Sequence, residues 1–202
     1  MFKKLAAEAL GISDVGVIIA PADYNKVDAD DYLFHEDGEK IFFLIKSKKD
    51  EYCFTNFALV HVDGESAVSS KRTIKRYEYG SHRISGVTIE TAGTIDMDVE
   101  LKFHLDDRTF SIDVRKSHLE GLKDIYKALT TIGRLQVRHE QARANASRTL
   151  DAVAAMYKVG TAGTDDAVVR QFNAILENYN ATVLNRFGGR DYSSVFETYM
   201  KA

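Results

Sequence analysis

The sequence predicts an α+β fold: a seven-stranded antiparallel sheet, curled into a partly open barrel and capped by one helix, followed by a C-terminal helical hairpin. Three observations carry this expectation. As far as Ser117, apolar residues alternate with polar ones at a period of two. From Ser117 onward they recur at helical spacing. Between the alternating stretches no segment is long enough for the crossover that parallel strands require.

The elements follow in order. The opening "MFKKLAAEALG" is amphipathic through Phe2, Leu5, Ala6 and Leu10 and is expected to pack on the sheet as an N-terminal helix. "EKIFFLIKS", "EYCFT", "ALVHVDG", "KRTIKRYEYG", "RISGVTIET", "DMDVELKFHL" and "RTFSIDV" each read as a short strand, punctuated by Gly, Asp, Asn and Ser. Asp63-Gly64 reads as a tight hairpin turn. Curling the sheet protects its edges.

Ser117 and Glu120 match a capping box, and Leu119, Leu122, Ile125, Tyr126 and Leu129 form one apolar stripe suited to closing the open end of the sheet. A second helix is expected from about Leu135 to Lys158, with Leu150, Val153, Ala154 and Tyr157 on one side. "GTAGT" at 160–164 breaks it. A third helix then runs to Phe187, presenting Val168, Phe172, Ile175, Leu176, Tyr179 and Val183 at helical intervals. Gly188-Gly189 stops it as a left-handed cap, and a short amphipathic tail from Tyr192 to Met200 ends the chain. Residues 1–133 are thus expected to form the sheet domain and 134–202 the helical extension.

Composition narrows the function. Of 202 residues, 45% are hydrophobic and 28% charged, which suits an ordinary globular protein. Net charge is −3. Residues 1–116 hold 16 basic against 21 acidic side chains and residues 117–202 hold 11 against 9, so neither part has the basic balance of a nucleic-acid binder. Cys53 is the one cysteine, which excludes an intrachain disulfide. Glu8 and Asp14 interrupt the N-terminal apolar residues, so no secretory signal is expected. No apolar run approaches the ~20 residues of a membrane span, and a cytoplasmic location is expected. Asn145 and Asn180 begin glycosylation-like triplets that carry no meaning without secretion.

Candidate chemistry is thin. Asp96, Asp98 and Glu100 in "IETAGTIDMDVELKFHL" share one strand face, opposite Ile95, Met97, Val99, Leu101 and Phe103. Same-face neighbours lie about 6.8 Å apart, too far for one metal to collect ligands from this strand alone. They read as a solvated acidic face. "GTAGTDD" lacks the lysine of a phosphate loop, and Asp165 and Asp166 occupy the helix start that an anion would need. His35, His61, His82, His104, His118 and His139 show no metal-ligand spacing, although His61 and His104, both on strands, could meet in space. "GSHRISG" is no nucleophile elbow. No catalytic residue, metal or cofactor is expected. Lys46, Lys48 and Lys49 form one basic cluster and Lys71, Arg72, Lys75 and Arg76 another. Either could grip a phosphate or anionic lipid, at about 1 kcal/mol per residue near a membrane; lysines also protect sheet edges, and the module is net negative.

"CFTNFALVHVDG" and "GVTIETAGTIDMDVELKFHL", with the helix after them, resemble the bacterial pleckstrin-homology-like family, in which a Thr-Asn pair and a Thr-Ala-Gly-Thr hairpin are recognisable. With "MFKKLAAEALG", "DADDYLFHEDGEKIFFLIKSKKDEYCFTN" and the helical tail, nearly the whole chain is similar to YvbH-like proteins. The resemblance implies a pleckstrin-homology-like barrel, a C-terminal oligomerisation region, no enzymatic activity and ring-like homo-oligomers. Lipid-binding relatives in eukaryotes carry a basic residue on the first strand and Arg-x-Arg on the second. Lys46 fits the former, but "EYCFTN" lacks the latter, which speaks against phosphoinositide binding.

The expected function is therefore a self-assembling scaffold or interaction module. Its oligomer interface would comprise Leu150, Val153, Ala154, Tyr157, Val168, Phe172, Ile175, Leu176, Tyr179, Val183 and Phe187, with alanines at 142, 144, 146, 152, 154 and 155 permitting close helix approach. The apolar stripe must dock either on its own sheet or on other subunits. The alternative is an anionic membrane-surface binder that uses the basic loop residues.

Overall fold

Alternation becomes strand wherever it occurs in the computed structural model, which describes residues 14–64, 71–91, 98–160, 166–187 and 191–200. After a two-residue β1 (Val17–Ile18) come β2 (Ile41–Lys46), β3 (Glu51–Thr55), β4 (Ala58–Gly64), β5 (Arg72–Glu78), β6 (Ile84–Thr91), β7 (Asp98–Leu105) and β8 (Arg108–Arg115). The seven expected strands are β2 to β8. β1 is too short to carry a period.

The strands form two antiparallel sheets, β1 to β5 and β6 to β8, each in sequence order. Among the described residues no ladder joins β5 to β6, so the barrel is open there. At the opposite corner Gly16 N donates to Asp113 O at 2.8 Å, and Arg115 N donates to Gly16 O at 3.0 Å. A Cβ at Gly16 would lie 2.7 Å from Ile45 Cγ2, so only glycine lets the strands close.

The main core lies between the sheets. Phe54 of β3 faces Phe103 of β7 with centroids 5.9 Å apart, and Phe103 stacks on Phe110 of β8 at 4.9 Å. Helix α1 (Leu119–Gly160) completes it with Leu122, Ile125, Ala128, Leu129 and Ile132, all fully buried. Each large side chain so buried contributes about 1.5–3 kcal/mol. Tyr126, expected on this stripe, instead faces outward, with 36% of its surface exposed.

A second apolar cluster lies on the other face of the five-stranded sheet. There Leu44, Cys53, Val60 and Val62 meet Val27, Ala29 and Leu33. Those three come from a strap of 3-10 turns, Pro21–Lys26, Asp28–Tyr32 and His35–Asp37. Burial on both faces explains why "FFLI", "CFT" and "ALV" read as continuous apolar runs. The strap itself has no period and was not foreseen.

Other local expectations are corrected. Asp63 and Gly64 pair with Thr73 and Arg72, so the ladder runs through them and the connection falls at 65–70, outside the described residues. Gly64 serves close approach rather than a turn, since its Cβ would meet Lys49 O at 2.7 Å. Ser117 lies inside a 3-10 turn, Lys116–His118, entered without a side-chain cap, and Glu120 accepts from Lys123 Nζ instead of forming a capping box. The first two expected helices are one. Gly133, between them, does not break the helix; it lies flat against Ile84 O, where a Cβ would come within 2.5 Å.

Helices α2 (Asp166–Phe187) and α3 (Ser193–Tyr199) follow. The chain divides into two compact units, Met1–Gly133 with Arg190–Ala202, and Arg134–Gly189. The tail, expected within a 134–202 extension, thus groups with the sheets, where Tyr192, Val195 and Phe196 are buried. The expected N-terminal helix, the "GTAGT" break, the Gly188-Gly189 cap and Asp96 lie outside the described residues.

Candidate functional site

In the unit 134–189, the helical stripes lie where the 3.6-residue period places them. Leu150, Val153 and Ala154 of α1 are half-buried, and so are Phe172, Ile175, Leu176, Tyr179 and Val183 of α2. Tyr157, Val168 and Phe187 belong to these helices, but their side chains are outside the described residues. Of the alanines, 142, 146 and 154 are half-buried and 144, 152 and 155 exposed. A shallow apolar groove of about 470 Å³ opens along this surface, lined by Ala146, Ala174, Ile175, Tyr179 and Val183. Among the described residues of the unit, not one reaches full burial.

The basic candidates of the sheet unit are largely engaged. Lys46 bonds to the buried carboxylate of Glu51, which also accepts from Asp28 N at 3.2 Å and Ala29 N at 2.8 Å and so ties the strap to β3. Arg72 lies 3.8 Å from Asp28, and Lys75 pairs with Asp63, whose carboxyl the lysine's hydrogen bond holds below its ordinary range. Arg76 Nη1 donates to Glu39 at 3.1 Å, Nε donates to Glu78 at 3.1 Å, and the guanidinium lies 4.9 Å from the Phe34 ring centroid. Lys48, Lys49 and Lys71 are exposed.

Glu39 anchors a polar network that sequence reasoning missed. Its side chain is wholly inaccessible and accepts from Phe34 N at 2.9 Å and from Thr55 Oγ1 at 2.6 Å, besides Arg76. Thr55 Oγ1 in turn accepts from Ala58 N at 2.9 Å, fastening the β3–β4 turn. Asn56 accepts from Lys40 N at 3.0 Å and donates to Asp191 at 3.2 Å. The Thr-Asn pair in "CFTNFALV" was the available signal. Its acid and arginine partners are 16 or more residues away and have no local mark.

The acids of β7 remain a coat. The register sets Glu90, Glu100 and Asp113 side by side across β6, β7 and β8. Like charges abreast repel; Lys102 relieves this, lying 2.8 Å from both Glu90 and Glu100. Hydrogen bonds from Lys102 and Ser111 hold Glu100 below the ordinary carboxylate range. Among the described residues no group of three His, Cys, Asp or Glu side chains is placed to hold a metal.

His61 and His104 do not meet. His61 stacks on Tyr52 at 4.4 Å and contacts Asp50 at 3.1 Å, whereas His104, on the other sheet, contacts Thr109 at 3.0 Å. Burial, with Asp50 adding to it, pushes the Tyr52 hydroxyl pKa above its ordinary value, and burial likewise raises the Cys53 thiol pKa, leaving neither poised as a nucleophile. No described helix is long and apolar enough to cross a membrane.

The bacterial PH domain family matches residues 9–132. Protein YvbH of Bacillus subtilis (strain 168), described as uncharacterized, is 48% identical over 204 residues, covering 99% of each chain. A crystal structure of a PH domain containing bacterial protein from Exiguobacterium sibiricum 255-15 superposes with a TM-score of 0.82 at 42% identity, covering 93% of this chain and all of that one.

Proposed function

The chain belongs to the bacterial PH domain family, and on that premise we propose that it is a non-enzymatic scaffold that self-assembles through the helices of residues 134–189. One observation carries the reading: that unit has apolar stripes and no fully buried residue among those described. Two helices cannot enclose their own apolar faces without a further layer. Phe172, Ile175, Leu176, Tyr179 and Val183 each still expose part of their surface, and completing their burial contributes at most about a third of the worth of full burial, roughly 0.2–1 kcal/mol each. Ala146, in the groove wall, leaves room for a close helix. A second copy supplies the matching surface, because the same stripe recurs on every chain.

Light scattering of the full chain at micromolar concentration tests this. The expected mass is a multiple of 22.7 kDa. Phe172→Glu is expected to reduce the mass to one chain while the circular dichroism of the sheet unit is unchanged. A monomeric wild-type protein, or a Phe172→Glu variant still fully assembled, would refute the interface. Sedimentation with anionic vesicles at low salt separates this reading from surface binding by Lys48 and Lys49.

A further inference from the structure

β6 ends the three-stranded sheet, and after Ile84 none of its residues is fully buried. Alternation fixes which of its backbone groups are spare. Asp113 O accepts from Gly16 N and Arg115 N donates to Gly16 O, so the odd residues of β8 turn their main chain towards Gly16 and the even ones towards β7. Val99 lies opposite Val114 and Leu101 opposite Ile112, so the odd residues of β7 bond to β8 and the even ones to β6. Glu100 in turn lies opposite Glu90, and Lys102 opposite Thr88. Glu90 and Thr88 therefore bond to β7, while Ile89 and Thr91 point their N–H and C=O groups away from the sheet. Among the described residues no backbone hydrogen bond outside the ladders reaches Val87, Ile89 or Thr91.

Spare edge groups of this kind accept another extended chain, and sheets guard against it with charge. β5, the other strand at the opening of the barrel, has such a guard in Arg72, Lys75 and Arg76. β6 carries β-branched Val87, Thr88, Ile89 and Thr91 and a single charge, Glu90. A bulge between Ser85 and Thr88, where Gly86 has φ +58°, ends the regular edge on one side.

We propose that the edge of β6 is a docking site for an extended peptide with a basic residue between two apolar ones. The peptide adds antiparallel, as every ladder of this chain does, and its main chain supplies the affinity. Its two apolar residues exchange backbone bonds with Ile89 and Thr91, and their side chains lie beside half-buried Ile89, on the face that holds fully buried Leu101. The basic residue falls opposite Glu90 in a non-hydrogen-bonded pair, where side chains come closest. Charge complementarity selects it. Glu90 is 58% exposed and shares Lys102 with Glu100, each carboxylate 2.8 Å from the amine. A second copy of β6 would bring similar apolar side chains but no cation, because residues 84–91 contain no Lys, Arg or His. The site lies within the sheet unit and does not depend on self-assembly through residues 134–189.

The probe is the peptide Thr-Val-Lys-Val-Thr, blocked at both ends and labelled with a fluorophore, titrated with the full chain. Fluorescence polarisation is expected to rise on binding. N-methylation of either valine removes an amide that meets β6 and is expected to weaken binding about tenfold, whereas N-methylation of the lysine, whose amide faces away, is expected to change it by less than about twofold. A peptide with glutamate in place of lysine is expected to bind wild type more weakly, and Glu90→Lys to reverse that preference. In hydrogen exchange followed by mass spectrometry, the Ile89 and Thr91 amides are expected to exchange fast in the free protein and slowly once the peptide is added. Absence of binding, or equal losses from methylated valine and methylated lysine, would overturn the proposal. So would slow exchange of both amides before any peptide is added, since the edge is then already paired by the chain itself or by a second copy. An unreversed preference in Glu90→Lys would overturn the basic residue's assignment.

Discussion

Replacing Arg76 by methionine isolates what the sequence left ambiguous about that residue, whether it is a surface cation or a structural one. Its partner Glu39 is wholly inaccessible, while Arg76 itself keeps 21% of its side chain exposed. Removing one member of a buried ion pair leaves the other charged and unsolvated, and costs about 3–5 kcal/mol. Lys75→Met supplies the control: the Lys75–Asp63 pair is more than a third exposed on both sides, and such pairs are worth about 0–1 kcal/mol.

The chain has no tryptophan, so urea unfolding is followed by near-ultraviolet circular dichroism of the packed Tyr and Phe rings. At a slope of about 2 kcal/mol per molar urea, Arg76→Met is expected to move the midpoint down by about 2 M, and Lys75→Met by less than about 0.5 M. Glu39→Gln with Arg76→Met should recover part of the loss, because no charge is then stranded while the amide oxygen still accepts from Phe34 N or Thr55 Oγ1. A single Arg76→Met variant within 1 kcal/mol of wild type would refute the argument, and if it also lost vesicle binding the arginine would belong to an anion site.

The remaining predictions are shorter. Asp191 sits below its ordinary carboxyl value, since burial alone would raise it but hydrogen bonds from Ser193 and Asn56 outweigh that. A depressed pKa gives stability that is present above the unfolded value of about 3.9 and lost as pH falls through the folded value. Wild type should therefore melt higher than Asp191→Asn at pH 6–8, with the gap narrowing progressively as pH falls below about 4; a gap that does not narrow with falling pH would assign the effect to packing. Leu129→Ala, at a fully buried position, is expected to lower stability by about 2–5 kcal/mol, whereas Tyr126→Ala, on the exposed side of the same helix, should change it by no more than about 0.5 kcal/mol in chemical denaturation.

Periodic features were legible because they are local. Strands β5 to β8 are runs of alternation, β2 to β4 carry short continuous apolar runs, and every ladder joins strands adjacent in sequence; the stripe of α2 was readable residue by residue. Tyr126 was misplaced because a helical stripe is a band of angles, and which edge of the band faces the sheet depends on how the helix is rotated. Gly64 reads as part of a turn, but it sits where another backbone comes too close for a Cβ, and the sequence alone does not distinguish a turn glycine from a point of contact.

The candidate sites divide the same way. The basic clusters read as loop residues, but Lys46 ends β2 and Arg72, Lys75 and Arg76 lie on β5, and Glu51, Asp63 and Glu39, which neutralise Lys46, Lys75 and Arg76, come from other elements. The Thr-Asn pair was noticed without a role, since its roles are bonds to Glu39 and Asp191.

Sequence by itself determined which stretches are strand or helix, which faces are apolar, and that one family's order of elements is present. Those are properties of neighbours a few positions apart, set by backbone geometry and side-chain spacing. Tertiary structure alone decided that a strap without any period covers the outer face of the larger sheet, that a buried glutamate holds an arginine, and that the last helix returns to a slot on the sheet. Those outcomes depend on pairs separated by 16 to 157 residues, whose meeting is fixed by how much surface the whole chain can bury and not by any local pattern.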